Sequence, residues 1–331
     1  MDTHNRPDII ISKNEPRIKP DISLYVSGCR PDPTIITDTS LVDIHIEFKI
    51  DPKDDPFLDH EEPLTKNSAD DGPRPFEGDT LANFDTTGQI TCYATQQLAR
   101  QFRTHTFSVF ICQDRARLIH WDRSGAVVTG AFSYVDQPWL ANFFWRYTHS
   151  SPAVRGVDES VTAPTDTDRD DVQKARVALE LKDEMPLFKF EIHEEDEDIS
   201  YCFGSQPWFQ SNRSPTGRAT RVFTVYAPAL NKCVIMKDTW RVSLRGMPTE
   251  GDTYRRLQAA NVSHIARFVR GGDVKSPFCR TRSHKFAKRF GLKLRPHSHY
   301  RFILDDIGRN LTSFRTTKEL VAALTDALQG M

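Results

Sequence analysis

The chain has 331 residues, 38% of them hydrophobic and 27% charged, with a formal net charge of −1 at pH 7. This length leaves room for two cores, and the near-zero charge excludes a general attraction to nucleic acid or membranes. No apolar run reaches the roughly eighteen residues of a spanning helix, the first residues lack a signal peptide's apolar core, and six scattered cysteines favour reduced thiols, so we expect an intracellular protein, cytoplasmic or nuclear.

The first 150 residues predict an α/β domain. Short apolar runs predict strands at 8–12 and 22–26, and hydrophobic residues at every second position predict a longer strand at 41–50. Residues 51–87 are rich in Asp, Pro and Gly, which is typical of a loop. After this loop we expect a helix at 89–103, three strands at 107–112, 116–121 and 126–129, and a short aromatic helix at 138–149.

Two further segments follow. Residues 151–215 predict an acidic and polar linker with one short helix at 172–182, and the acidic run 194–198 is typical of a solvated loop. Residues 216–331 predict a second domain. Its expected elements are a hairpin of strands 218–227 and 232–237, a helix at 248–260, strands at 265–269 and 300–304, and an amphipathic helix at 317–329 that turns Leu320, Val321, Leu324 and Leu328 inward.

Chemistry-bearing residues in the first domain follow a recognisable order. Asp21 precedes a predicted strand, Glu47 and Lys49 share one face of the next strand, and Gln89 and Tyr93 open the following helix. This order resembles the PD-(D/E)xK nuclease superfamily, where the two acids bind a divalent ion and the lysine orients or activates the attacking water. The resemblance implies a Mg²⁺-dependent nuclease-like domain. An ordinary amphipathic strand accounts for the Glu-Phe-Lys triplet equally well.

The second domain carries a lysine–glutamate pattern. Lys237 ends the apolar run Val-Ile-Met, and Glu250 follows on the next predicted helix. In protein kinases a strand lysine holds the ATP phosphates and a helix glutamate holds the lysine. Taken alone, the two residues are also consistent with a surface ion pair, which is worth under about 1 kcal/mol.

Four segments in the right order extend the pattern: 93–104 (YATQQLARQFRT), 117–125 (RLIHWDRSG), 234–240 (VIMKDTW) and 300–311 (YRFILDDIGRNL). Together they resemble the fungal-type protein kinase family, in which an N-terminal α/β region precedes a kinase fold. The resemblance implies that Lys237 binds phosphate with Glu250 as its partner, that Leu304 closes the back of the adenine pocket, and that the backbone from Asp305 to Ile307 is the adenine-binding hinge. The expected fold is mixed α/β: a PD-(D/E)xK-like domain followed by a truncated kinase-like N-lobe.

The chain departs from this family pattern in its catalytic segments. It has no His-Arg-Asp and no Asp-Phe-Gly; the nearest match, Cys-Phe-Gly at 202–204, lacks the metal-binding acid, and Gly217 alone stands where a glycine-rich phosphate loop belongs. The sequence ends at Met331 before these segments. We therefore expect a pseudokinase-like or truncated chain without phosphotransferase activity. ATP and Mg²⁺ are implied for complete relatives but are not expected to bind this chain tightly, and a protein partner could cover its exposed cleft.

Residues 271–295 form a basic insertion ahead of the hinge strand. It contains eight lysines and arginines against the single acid Asp273, with three phenylalanines among them. Such a segment could bind nucleic-acid phosphate or an acidic partner, which makes a noncatalytic binding module a third possibility, and a solvated loop is the alternative. His297 and His299 have no further ligands at metal spacing, so we expect them in a loop and predict no metal site there.

Overall fold

The computed structural model describes residues 18–29, 37–59, 76–194, 198–211, 214–287, 292–308 and 311–329. The predicted strand at 8–12 lies outside this part of the chain, as do residues 195–197 of the acidic run and 288–291 of the basic insertion. The fold is mixed α/β with two sheets. It divides into two compact units: unit 1 comprises Met1–Glu159, Asn212–Ala219 and Pro277–His297, and unit 2 comprises Ser160–Ser211, Thr220–Ser276 and Ser298–Met331.

Unit 1 is built on a six-stranded sheet with the order β1-β2-β3-β4-β5, in which β6 also pairs with β4. Parallel neighbours need a crossover connection, and helix α1 makes it between the parallel strands β2 and β3. Its elements are β1 (Ile22–Tyr25), β2 (Val42–Lys49), α1 (Leu81–Arg100), β3 (Thr106–Cys112), β4 (Arg115–Asp122), β5 (Gly125–Val128), β6 (Phe132–Ser133), α2 (Trp139–Thr148) and α5 (Ser283–Ala287). The five described strands that were predicted and the aromatic helix lie within a few residues of their predicted bounds, whereas β6 and α5 were not predicted.

Helix α1 begins at Leu81, inside the segment predicted as a loop. The Thr80 side chain caps it by accepting a hydrogen bond from the Asn83 backbone N–H at 3.2 Å. In its first turns the buried residues are the polar Asn83 and Thr86, whereas Leu81 and Phe84 are exposed, so these turns lack the apolar stripe from which a helix is predicted. Its later turns bury Ile90 and Leu98 against the sheet core.

The basic insertion is anchored in unit 1, which corrects the expectation of a solvated loop for part of it. The Asp122 carboxylate accepts hydrogen bonds from the backbone N–H groups of Arg282 and Ser283, at 2.6 and 2.9 Å, and from the Ser283 hydroxyl at 2.5 Å. These donors lie at the start of α5, where helical N–H groups have no partner within the helix. Burial alone would raise the pKa of Asp122, but these hydrogen bonds lower it below its ordinary value.

Unit 2 is built on an eight-stranded sheet with the order β13-β14-β12-β11-β9-β8-β7, in which β10 also pairs with β11. All strand pairs with a determined register are antiparallel. Its elements are β7 (Val161–Thr162), α3 (Arg169–Ala178), β8 (Phe188–His193), β9 (Ile199–Gly204), β10 (Phe209–Gln210), β11 (Arg221–Ala227), β12 (Lys232–Val242), α4 (Glu250–Ala259), β13 (Phe268–Asp273), β14 (His297–Leu304) and α6 (Thr317–Gln329).

The linker predicted for 151–215 is wrong, because this segment contributes four strands to the second sheet. β8 and β9 pair antiparallel from Phe188 opposite Gly204 to His193 opposite Ile199. Both faces of this hairpin carry buried residues: Phe190 and its partner Cys202 lie on one face, and Phe203 lies on the other. Glu194 and Asp198, the described ends of the acidic run, follow β8 and precede β9, and the Glu194 N–H donates to the Asp198 carbonyl at 3.1 Å. Because the run is highly charged, the sequence pattern did not indicate a hairpin here.

The core of unit 2 contains a charged cluster. Arg301 is fully buried, and its Nε donates to the Asp238 carboxylate at 3.1 Å. The His299 ring nitrogen Nε2 lies 2.6 Å from the same carboxylate oxygen, and the His299 ring stacks on Trp240 at 4.9 Å between centroids. His297 and His299 therefore lie in β14 rather than in a loop. The alternation of polar and apolar residues in this strand does not separate a buried face from an exposed one, since all eight residues are buried.

Helix α6 has the predicted bounds but not the predicted packing. Val321, Leu324 and Leu328 are exposed to 61%, 49% and 70%. The expectation that this stripe turns inward is wrong within the part of the chain described. Among the described helices, none is both long and apolar enough to cross a bilayer.

Candidate functional site

Lys237 lies on β12 and pairs with the first residue of α4. β12 buries Val234, Met236 and Asp238 on one face, so Lys237 leaves the strand on the other. Its ammonium Nζ donates to Glu250 Oε1 at 2.5 Å, and the two side chains are 24% and 26% exposed. The structure thus brings together the two residues that the sequence pattern singled out, at the edge of the solvent.

The start of α4 is strongly defined, which fixes where Glu250 lies. Thr249 and Asp252 form a capping box: the Thr249 side chain accepts from the Asp252 N–H at 3.0 Å, and the Asp252 carboxylate accepts from the Thr249 N–H at 2.9 Å. A carboxylate in the first turn also interacts favourably with the positive end of the helix dipole. Glu250 is therefore placed by local sequence as well as by its ion pair.

An aromatic layer lies beside this pair. Phe302 of β14 is buried, and the Lys237 ammonium lies 5.7 Å from the centre of its ring, within the range of a cation–π contact. Phe302 packs in one cluster with Phe268, Tyr300 and Leu304. Leu304, predicted to close the back of an adenine pocket, thus belongs to the same apolar cluster as the ring next to Lys237.

The predicted hinge follows β14 and is tied to neighbouring strands. The Asp305 carboxylate pairs with Lys232 and with Arg267, and the Asp305 N–H donates to the Arg267 carbonyl at 2.9 Å. Ile307 is half exposed. These contacts hold the chain after Leu304 in place, while the Ile307 side chain faces solvent.

Two sequence features that were compared with kinase loops, Gly217 and the Cys-Phe-Gly triplet, do not form such loops beside Lys237. Gly217 belongs to unit 1, where its N–H donates to the Arg123 carbonyl at 2.8 Å, and its φ of +95° is one that glycine adopts easily. The Cys-Phe-Gly triplet at 202–204 lies inside β9, with Cys202 and Phe203 buried. Burial raises the pKa of the Cys202 thiol to about 12, so the thiol stays protonated. Neither feature forms a phosphate or metal loop within unit 2.

A second cluster lies in unit 1 and contains the nuclease-like residues. The Lys49 ammonium donates to Glu47 Oε1 at 2.8 Å and to the Gln89 side-chain oxygen, also at 2.8 Å. Strand β2 supplies the first two residues, and α1, which crosses over this strand, supplies Gln89. The fold therefore joins residues that are forty positions apart in the sequence.

Asp21 and Tyr93 complete this cluster. The Asp21 carboxylate accepts a hydrogen bond from the Phe48 N–H at 2.8 Å, which ties the start of β1 to the end of β2. Burial raises the pKa of Glu47; Lys49 opposes this effect, and the nearby charge of Asp21 adds to it. Burial also raises the pKa of Tyr93, and the charge of Glu47 raises it further. Each of the five predicted residues thus interacts with at least one other member of the cluster.

The same sheet face holds buried polar atoms without a hydrogen-bond partner among the described residues. They are Glu47 Oε2, the Ser23 hydroxyl and both ring nitrogens of His45. Ser23 lies directly opposite His45 in the β1–β2 register, and His45 precedes Glu47 by two residues on β2, so the three share one face. Burial lowers the pKa of His45 to about 3 and keeps the ring neutral. Period-two spacing from Glu47 could have pointed to His45, which the sequence reasoning missed.

A divalent cation fits this donor set better than an anion does. Glu47 is 4% exposed; the Lys49 ammonium contacts one carboxylate oxygen, the other makes no hydrogen bond of ordinary geometry among the described residues, and the Tyr93 hydroxyl also interacts with this carboxylate. An ionised carboxylate in such a place requires a further positive or hydrogen-bonding partner. Hard divalent cations such as Mg²⁺ take carboxylate oxygens as ligands. Glu47 and Asp21 would hold such an ion.

The basic insertion retains an exposed charged side. Arg280, Arg282 and Lys285 are exposed, and the Arg282 guanidinium lies 4.8 Å from the centre of the Phe278 ring. The predicted residues Lys288, Arg289 and Phe290 lie outside the described residues. A complete basic surface is therefore not defined by the structure.

Comparison with known proteins identifies the family. The fungal protein kinase family model matches residues 81–291, well over half of the chain. The match contains Lys237, Glu250, Gln89 and Tyr93, whereas Glu47 precedes it and Leu304 follows it. No curated protein and no solved structure matched the chain. The extent of the match, together with a strand lysine paired to a helix glutamate inside the matched region, shows that the chain belongs to the fungal protein kinase family.

Proposed function

We propose that unit 2 binds ATP as the nucleotide-holding part of a protein kinase, with Lys237 contacting the phosphates. The observation that carries this proposal is the 2.5 Å ion pair between Lys237 and Glu250. In protein kinases this pairing must be in place for the lysine to hold the ATP phosphates. Membership of a kinase family, through a match that includes both residues, supports the same function.

The apolar cluster supports a place for the adenine ring. Leu304 and Phe302 lie on β14 next to Lys237, and the chain leaves this strand through Asp305 towards the exposed Ile307. A flat aromatic ligand binds well in a mostly apolar cleft that offers a few backbone hydrogen-bonding groups. The backbone from Asp305 to Ile307 would supply those groups.

The proposal concerns nucleotide binding alone. The 331 residues contain neither His-Arg-Asp nor Asp-Phe-Gly, the segments that supply the catalytic base and a Mg²⁺ ligand in kinases. From the sequence we predict that the chain has no phosphotransferase activity and binds ATP weakly, and both statements remain predictions. A nucleotide titration tests the proposal without relying on turnover.

Calorimetric titration of ATP into three proteins tests this function. Lys237→Met removes the ammonium of the proposed site. Lys189→Met is the matched control, because Lys189 also leaves a strand of unit 2 to pair with an acid, Asp168, at 2.7 Å. We expect Lys237→Met to weaken ATP binding by about tenfold or more, since a charge-assisted contact to phosphate is lost, and Lys189→Met to leave it unchanged. Equal binding by all three proteins, or none by the wild type, contradicts the proposal.

A second function is favoured for unit 1: binding of a divalent cation in a PD-(D/E)xK-like site. The supporting observation is that Asp21, Glu47, Lys49, Gln89 and Tyr93 interact within one cluster that contains an unpartnered carboxylate oxygen. A divalent cation in such a site lowers the pKa of a bound water and stabilises negative charge on a phosphodiester. Lys49, held by Glu47 and Gln89, would orient a water or a phosphate oxygen beside it.

Binding of Mn²⁺, followed by electron paramagnetic resonance, tests the second function without measuring activity. Glu47→Gln keeps the side-chain volume and removes the charge, and Glu77→Gln, at an exposed position of unit 1, is the control. We expect Mn²⁺ to bind the wild type and Glu77→Gln equally and Glu47→Gln at least about tenfold more weakly. If Mn²⁺ does bind, cleavage of plasmid DNA with Mg²⁺ tests whether the site is a nuclease. Equal Mn²⁺ binding by all three proteins overturns the cation site.

A further inference from the structure

A single tyrosine contacts both residues that flank Glu250. The Gly251 N–H donates to the Tyr300 hydroxyl oxygen at 3.1 Å, and the Tyr300 hydroxyl lies 3.3 Å from the Thr249 hydroxyl, to which it donates. The first N–H groups of a helix have no partner within the helix. Tyr300 satisfies one of them from the neighbouring strand β14, at the residue next to the site glutamate.

We infer that Tyr300 is a positioning residue, which fixes the first turn of α4 and so holds Glu250 against Lys237 before any ligand binds. This inference rests on the proposed ATP site and concerns how that site is kept ready. It assigns no contact between Tyr300 and the nucleotide. The role is carried by the hydroxyl group rather than by the ring.

The close approach of helix and strand supports this role. A Cβ atom on Gly251 would lie 2.4 Å from the Tyr300 hydroxyl oxygen and 2.8 Å from the Phe268 ring. Only glycine permits this approach without a shift of the helix or of the two rings. The glycine next to Glu250 and the tyrosine opposite it therefore form one complementary contact.

Tyr300 is itself held rigidly. Its side chain is buried, its ring lies 5.6 Å from the Phe302 ring, and the Arg241 guanidinium lies 5.9 Å from its ring centre. Two hydrogen bonds, of 2.6 and 2.7 Å, fix Arg241 to the Asp273 carboxylate. Burial raises the pKa of Tyr300, so its hydroxyl keeps the proton that it donates to Thr249.

The consequence is a site whose lysine–glutamate pair forms in the ligand-free chain. Because the Tyr300 hydroxyl fixes the first turn of α4, neither a nucleotide nor a protein partner is needed to bring Glu250 to Lys237. Loss of this hydroxyl should release Glu250 and leave Lys237 without its carboxylate partner. Loss of the carboxylate contact frees the Lys237 amine, so we expect acylating reagents to reach it more readily.

The test measures the acylation rate of Lys237 by mass spectrometry, relative to the exposed Lys275 and without nucleotide. Tyr300→Phe removes one hydroxyl and keeps the ring. Tyr226→Phe is the matched control, because Tyr226 is also buried in unit 2 and its hydroxyl donates to Asn231 at 2.8 Å. We expect the Lys237 rate to rise roughly fivefold in Tyr300→Phe, the effect of losing one hydrogen bond, and to stay unchanged in Tyr226→Phe.

A double-mutant cycle separates positioning from a general structural effect. In a Glu250→Gln background the carboxylate is already lost, so Tyr300→Phe should cause no further rise in the Lys237 rate. Gly251→Ala, which keeps the hydroxyl and displaces the helix, should raise the rate in the wild-type background. Cooperative thermal unfolding establishes that each variant is folded.

The outcomes are distinct from those of the ATP titration. An unchanged Lys237 rate in Tyr300→Phe, or an equal rise with and without Glu250, overturns the role of Tyr300. Because the acylation assay contains no nucleotide, a wild type that fails to bind ATP refutes the proposed function and leaves this inference standing. If the wild type binds ATP but the Lys237 acylation rate is the same in Tyr300→Phe, the proposed function stands and the role of Tyr300 is refuted.

Discussion

Two lysine–glutamate pairs occur in the described part of the chain, one in each unit, and they are built in different ways. Lys49 and Glu47 lie two residues apart on β2, so the strand alone places them on one face. Lys237 and Glu250 lie on a strand and a helix and meet through tertiary contacts. The first pair therefore depends on local geometry, whereas the second depends on the packing of α4.

The two pairs also differ in their surroundings. The Glu47 side chain is 5% exposed and has a buried oxygen without a partner, whereas the Glu250 side chain is 26% exposed at a helix N-terminus. The proposed functions assign a divalent cation to the buried carboxylate of unit 1 and an anionic nucleotide to the lysine of unit 2. Under these proposals the same two residue types serve ligands of opposite charge.

The largest expected effect is a loss of stability on substitution of Asp238, the residue after Lys237 on β12. Asp238 points to the opposite face of β12 and is paired with the buried Arg301 and with His299. Asp238→Asn would leave Arg301 without its charged partner and should lower the free energy of unfolding by about 3–5 kcal/mol. Chemical denaturation measures this change. Asp183→Asn, at an exposed position of the same unit, should change it by less than about 0.5 kcal/mol.

Lowering the pH should remove the contribution that the ionised Asp238 carboxylate makes to the free energy of unfolding. Burial alone would raise the pKa of Asp238, but His299 and Arg301 hold it well below its ordinary value. A carboxyl whose pKa is lowered in the folded state contributes stability above its unfolded pKa of about 4 and loses it as the pH falls. The difference between wild type and Asp238→Asn should therefore shrink below pH 4. A difference that is constant from pH 7 to pH 3 contradicts this ion cluster.

Each proposed site has a neighbouring glycine, and substituting the two glycines by alanine should change stability in opposite directions. Gly251 lies in close contact with Tyr300, so a Cβ atom there would lie 2.4 Å from the Tyr300 hydroxyl oxygen, whereas a Cβ atom on Gly88 of α1 would meet nothing within 4 Å. Gly251→Ala should lower the free energy of unfolding by about 1–3 kcal/mol through overpacking. Urea denaturation measures it. Unchanged stability of this variant would show that α4 is free to move away from β14.

Gly88→Ala should change the free energy of unfolding in the opposite direction. Gly88 precedes Gln89 in the interior of α1, where alanine is favoured over glycine by about 0.5–1 kcal/mol. We expect a rise in the free energy of unfolding of that size and no change in Mn²⁺ binding. A loss of stability would mean that α1 approaches another element at this residue, contrary to the structure.

The smallest effect is a pH dependence at Glu47. Burial raises the pKa of Glu47, so the folded state keeps its proton to a higher pH than the unfolded state does. Such a group loses stabilising free energy as the pH rises through its folded pKa. Glu47→Gln has no proton to lose, so its stability relative to the wild type should increase from pH 4 to pH 8. Thermal unfolding across this range measures the trend, and a decrease contradicts it.

The parts predictable from sequence were those set by short-range patterns. Alternation in 41–50 predicted β2, and the Val-Ile-Met-Lys run predicted the strand of Lys237. Polar residues misled in two ways: the acidic run concealed the β8–β9 hairpin, and the basic insertion proved to be anchored at Asp122. These contacts join distant segments, so no local period reports them. Tyr300 was missed for the same reason, since its role depends on a helix packed against it.

The most direct test of the central claim asks which lysine lies at the ATP phosphates. An acyl-phosphate derivative of ATP transfers its acyl group to a lysine amine near the phosphates and releases ATP, and mass spectrometry identifies the modified residue. The proposed function predicts acylation of Lys237 above the other lysines, suppressed by excess ATP and lost in Lys237→Met. Acylation spread over exposed lysines such as Lys275, with no protection by ATP, would contradict it.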